Sequence, residues 1–185
     1  MNRATPWLIG AGLVLAAGLV SGITPPEDSL TDAFPVHGSA DQVVTTRTLI
    51  ARVVHSSFAE RLSDERDEWD AEGNWLVIEI AASARQSELD AEIGLASLLV
   101  DGRVFHASER LPDSLLRSPL RVGVDTTGLI AFELPASLRS GTARLRLSAG
   151  YFTPSLDDVI MIPIDLEAAE RTGTVELTAP KVGTP

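Results

Sequence analysis

The chain has 185 residues, room for one domain with a real core plus something small attached to it. Its 26 acidic residues against 15 basic ones give a formal charge of −11, which argues against nucleic acid and anionic lipid surfaces as partners, since both repel an acidic protein. The absence of cysteine excludes a disulfide framework and a lipid-modified N-terminal cysteine.

The N-terminal 24 residues read as a membrane anchor. Trp7 to Ile23, "WLIGAGLVLAAGLVSGI", is almost wholly apolar, near the lower limit of about 17–25 residues for a membrane-spanning helix. Trp7 suits the membrane interface. Arg3 lies before the apolar run and Glu27, Asp28 and Asp32 after it, so the positive-inside rule puts the N-terminus in the cytoplasm and the rest outside. A cleaved signal peptide is the rival reading. Val20-Ser21-Gly22 is a poor cleavage site, and the better small pair, Ala16-Ala17, lies mid-run, so the length favours an uncleaved single-pass anchor. Lys181 is the single lysine beside fourteen arginines, a compositional hint of a GC-rich bacterial source.

Residues 25–40, with Pro25, Pro26 and Pro35, read as a proline-rich tether. A β-sandwich is expected over 41–179, followed by a short tail at 180–185. "QVVTTRTLIARVV" is rich in β-branched residues and predicts a first strand. Glu60 to Gly73, "ERLSDERDEWDAEG", carries seven carboxylates and two arginines, and like charges this dense predict a solvated loop or a short helix turn over a packed element.

Beyond it the apolar residues recur with a period of two. Leu76, Ile78, Ile80 and Ala82 share a face opposite Glu79, and Ile130, Phe132 and Leu134 one opposite Glu133. Leu145 and Leu147 alternate with Arg144 and Arg146, and Ile160, Ile162, Ile164 and Leu166 with Met161, Pro163 and Asp165. Val175 and Leu177 flank Glu176. This alternation predicts antiparallel sheets with one face buried and one wet. Asp101-Gly102 predicts a two-residue hairpin turn, and Asp125–Gly128, "DTTG", another turn. "SELDAEIGLASLL" can open as a helical turn, and Pro163, lacking an amide donor, suggests an edge strand. The result is an all-β, immunoglobulin-like antiparallel sandwich of seven or eight strands.

Three groups of residues invite a chemical reading. His106, Ser108 and Glu109 crowd the end of one strand. Residues two apart share a face, so His106 and Ser108 point together, yet their Cα atoms stand nearly 7 Å apart, roughly twice a hydrogen-bond distance. No G-x-S-x-G elbow exists, so polar residues on a wet strand face outweigh a hydrolase, and no catalytic residue is assigned. His37 and His55 lie in the tether and at the end of the first strand, and no H-x-x-x-H spacing suggests a transition metal. In the acidic run, Asp64, Asp67, Glu68 and Asp70 are weak calcium candidates, for oxygen donors suit that ion but the EF-hand spacing is missing. Glu65 and Glu72 extend the same run. No cofactor is expected. The few aromatic residues offer little for sugar stacking, which disfavours a glycosidase using paired carboxylates.

The succession "NWLVIEIAASA", "LLVDGRVFHASERL", "GLIAFELPASL" and "ARLRLS" resembles a bacterial, actinobacterial-type family of exported domains of unknown function. The resemblance spans roughly Asp41 to Ala179. Its most specific parts are the hairpin Asp101, Gly102 and Phe105, where the family often has tyrosine at the last position, and a glycine followed by Phe132-Glu133-Leu134-Pro135. It implies an immunoglobulin-like, telokin-like sandwich, similar in fold to a secreted mycobacterial immunoprotective antigen, with no catalytic residues to carry over. The acidic stretch at 60–73 departs from that pattern. The expected function is a membrane-anchored, extracytoplasmic, non-catalytic module binding an envelope protein. A calcium- or small-ligand-binding sandwich using the acidic loop is the alternative.

Overall fold

The computed structural model describes residues 12–14, 33–66, 68–150 and 156–183. Gly12–Val14 are helical and exposed, and the rest of the expected anchor lies outside the described residues. Among the described residues no helix is long and apolar enough to cross a membrane.

Two sheets pack face to face. Sheet A contains β1 (Phe34–His37), β9 (Asp158–Asp165), β8 (Thr142–Ser148), β5 (Leu95–Val100) and β6 (Arg103–His106), in that spatial order. Sheet B runs β10 (Glu170–Glu176), β3 (Leu49–Asp64), β4 (Trp69–Ala84), β7 (Thr126–Glu133) and β11 (Lys181–Val182), and β2 (Val44–Thr45) pairs with β3. The fold is thus the expected all-β sandwich. The apolar side chains of the alternating strands meet between the sheets: Leu76, Ile78 and Ile80 of β4 and Ile130 and Phe132 of β7 join Leu98, Leu145 and Ile162 in one core cluster.

The predicted hairpin forms. Asp101 (φ 48°) and Gly102 (φ 76°) join Val100 to Arg103, both central residues having the positive φ that a two-residue turn of matching twist requires.

Several expectations are corrected. The proline-rich stretch is not a tether throughout, because Phe34–His37 form β1, pairing parallel with Asp158–Met161. At the other end Lys181–Val182 of the expected tail pair with β7. The sheets are therefore not purely antiparallel, since β10 also runs parallel to β3. Alternation reports which face is buried and is blind to strand direction. "DTTG" is no turn, for Thr126 to Gly128 begin β7. The chain reverses instead at Gly123 (φ 73°), between the bridged residues Arg121 and Val124. "SELDAEIG" forms irregular chain leading into β5 rather than a helical turn.

Pro163 lies on β9, one strand in from the edge strand β1. The Leu166 N–H donates to the Gly141 carbonyl at 2.9 Å, which sets the phase of hydrogen bonding along β8 and β9. Pro163, opposite Arg144, then falls at a non-hydrogen-bonded position of that ladder. Its missing donor faces the β1 side, past the last β1 pair at Met161, so no ladder bond is lost.

The acidic run is not a loop but the distal half of the β3–β4 hairpin, with Asp64 opposite Trp69. Arg61 lies opposite Glu72, pairs with its carboxylate and stands 3.6 Å from Asp70, which offsets the like charges. Leu62, Trp69 and Ala71 meanwhile turn toward a second apolar cluster with Trp75, Val77 and Leu177, on the outer face of sheet B. That face is therefore partly covered rather than wet. Two irregularities cancel along the hairpin. Val54 is an extra residue on β3 between the pairs Val53/Ile80 and His55/Glu79. Gly73 and Asn74 together oppose Glu60 on β4, and the register returns to its starting offset.

Candidate functional site

The His106–Ser108–Glu109 group does not converge. Its backbone leaves sheet A within two residues: the Ala107 N–H donates to Ala96 of β5, and the Ser108 N–H to Ala131 of β7 in the other sheet. His106 is exposed at the end of β6. Ser108 Oγ accepts the Arg110 N–H at 3.4 Å, and Glu109 pairs with Arg117. The expectation that His106 and Ser108 share a face fails because the strand ends between them.

The calcium candidates are engaged separately. Asp64 is 2% exposed and its Oδ1 accepts the Arg66 N–H at 2.9 Å. Asp70 turns to Arg61, Glu68 occupies the turn with φ 49°, and Asp67 lies outside the described residues. Among the described residues no three histidine or carboxylate groups are placed to hold a metal ion. Arg66 reaches across to Asp113, an ion pair that ties the hairpin tip to the segment following β6.

A more developed concavity lies on the outer face of sheet B. It exists because the chain must travel from β10 at one edge to β11 at the other. The four residues Leu177–Pro180 make that crossing over the face of the sheet. Leu177 packs with Val77 and Ala131 in the second apolar cluster, holding this strap down. Where the strap enters β11 it lies close against the edge of β7, and a Cβ on Gly128 would meet Pro180 Cγ and Leu115 Cβ, both at 3.1 Å.

Between the strap and β10 lie two cavities of about 260 and 400 Å³. Glu79 and Leu129 line both, so the two cavities adjoin along one groove of the sheet face. His55 and Ser57 of β3 and Thr127 of β7 complete the floor, and Glu170 and Thr172 of β10 form one wall. Thr178, Ala179 and Lys181 form the other. His55 Nε2 stands 3.2 Å from Glu170 Oε2, an ion pair whenever the imidazole is protonated, and Glu79, half-buried at the centre, has no ion pair among the described residues. Alternation along β4 marks Glu79 as outward-facing, but Glu170 and Lys181 carry no local signal. Only the parallel pairing of β10 and the crossing of the strap bring them to the same groove.

No family model and no curated protein matches the chain. Among solved structures it is similar to an uncharacterized β-sandwich protein from Clostridium difficile 630, at 10% identity and a TM-score of 0.45, over 77% of this chain and 99% of that one.

Proposed function

We propose that this chain is a membrane-anchored, extracytoplasmic, non-catalytic binding or accessory module of a bacterial envelope. In this reading it holds an extended segment of a protein partner in the groove on the outer face of sheet B. The observation that carries the proposal is that the two cavities adjoin at Glu79 and Leu129, an arrangement that suits a length of chain better than a compact ligand. Glu79 selects a basic side chain on that segment, and the exposed backbone of the strap adds hydrogen-bonding groups. The apolar run Trp7–Ile23 supports the anchor and the outward orientation. The hairpin at Asp101-Gly102 and the stretch Phe132–Pro135 support the immunoglobulin-like, actinobacterial-type kinship. Calcium binding by the acidic hairpin is the weaker role, because Asp70 and Glu72 are already drawn to Arg61.

The test is affinity purification of the full-length chain from detergent-solubilised native membranes, beside Glu79→Gln, which keeps the side-chain volume. A partner retained by the wild type and lost with Glu79→Gln is the expected result. Recovery of the chain alone, or a partner held equally by both, overturns the proposal.

A further inference from the structure

A further cleft of about 270 Å³ opens between β3, β10 and the turn after β7, independent of the groove's proposed role. Its construction begins at the second hairpin irregularity. Asn74, 8% exposed, donates from Nδ2 to the carbonyls of Pro135 and Leu138, at 2.9 and 3.4 Å, and so staples the β7–β8 turn to β4. Its Oδ1 then accepts the Arg139 Nε–H at 2.8 Å. With Nε engaged, the guanidinium is oriented and its two terminal nitrogens remain available. Across the cleft stands Arg171 of β10, in parallel register with Phe58. The buried Phe58 and Ala59 line the base, and a Cβ at Gly173 would meet nothing within 4 Å, so the entrance is open.

Among the described residues neither Arg139 nor Arg171 holds a carboxylate within ion-pair distance, and the two line the same cleft. Glu60 also lines the cleft and is likewise outside ion-pair distance of either arginine. Two guanidinium groups against one carboxylate leave one net positive charge. We propose that this cleft binds a single carboxylate, received on the planar edge of Arg139 in the bidentate geometry that guanidinium favours and flanked by Arg171. Glu60 repels a second negative charge, so the site prefers a carboxylate to a phosphate dianion. A free small acid and the C-terminal carboxylate of a peptide share this chemistry.

The proposal is tested on the full-length chain in detergent micelles by following the arginine Nε–Hε resonances at constant ionic strength. Acetate, acetyl-Ala-Ala and inorganic phosphate are titrated separately. The expected result is a saturable shift at Arg139 with acetate or the peptide, lost in Arg171→Gln, which leaves the Asn74–Arg139 contact in place. Much tighter binding of the peptide assigns the site to a chain terminus, and equal binding assigns it to a free acid. Glu60→Gln is expected to admit phosphate. Absence of saturation, persistence in Arg171→Gln, or wild-type binding of phosphate as strong as that of acetate overturns the proposal.

Discussion

Arg47 grips Asp158 twice, its backbone N–H donating to Oδ2 at 2.7 Å and its Nε to Oδ1 at 3.2 Å. Arg47 precedes β3 of sheet B and Asp158 opens β9 of sheet A, so the pair joins the two sheets at one end of the sandwich. The guanidinium also donates to the Leu156 carbonyl at 3.1 Å and lies 5.9 Å from the ring centre of Phe34, the first residue of β1. Replacing Arg47 by alanine leaves the backbone bond and removes the rest. Because the side chain is 60% exposed, the expected loss is about 1 kcal/mol, read from denaturant unfolding. Hydrogen exchange should show β1 losing protection before β8 does.

Trp75 is 1% exposed, and its indole Nε1 is buried with no hydrogen-bond partner among the described residues. Such a donor forgoes its bond to water without replacement. Trp75→Phe removes the orphaned N–H while keeping an aromatic ring, so stability should change by no more than about 1 kcal/mol. Trp75→Ala empties the second cluster and should cost about 3–5 kcal/mol. A loss in Trp75→Phe as large as that in Trp75→Ala, read by urea unfolding, would overturn this expectation.

Gly128→Ala presses a methyl group against Pro180 and Leu115 on the core side of the β7 edge. Overpacking of this kind should cost about 1–3 kcal/mol and raise hydrogen exchange over 177–182. Gly173→Ala meets open space, and its melting temperature should stay close to that of the wild type.

Glu88 accepts the Val122 N–H at 3.1 Å and a bond from Arg121 at 3.1 Å. The backbone bond first, and the guanidinium second, hold its carboxyl below the ordinary value of 4.5. A depressed folded-state pKa contributes stability that is complete above the unfolded value and is lost as pH falls through the folded one. The melting-temperature difference between wild type and Glu88→Gln should therefore be constant at neutral pH and shrink steadily below pH 4.5. A difference that stays the same down to acid pH would remove the linkage.

Much of the sandwich was legible locally. Ile160, Ile162, Ile164 and Leu166 are all buried as their spacing requires, and Asp101-Gly102 turns as its backbone preferences dictate. The acidic run shows the limit of that reading. Charge density argued for a loop, but Arg61 on the facing strand and the apolar cluster beneath Leu62 and Trp69 made extended pairing favourable. The candidate sites were less legible still. His106 and Ser108, two positions apart, are hydrogen-bonded into different sheets, while Glu79 and Glu170, 91 positions apart, line one groove.

The all-β class, the buried face of each alternating strand and the tight hairpin follow from short stretches of sequence, because side-chain period and glycine's freedom at positive φ act over a few residues. Tertiary structure alone decided strand neighbours and direction, the β1 and β10 parallel pairings, the strap across sheet B and the cleft that sets Arg139 opposite Arg171. These depend on which distant segments bury one another's apolar surface, and an interaction summed over the whole core leaves no mark on the short stretches it brings together.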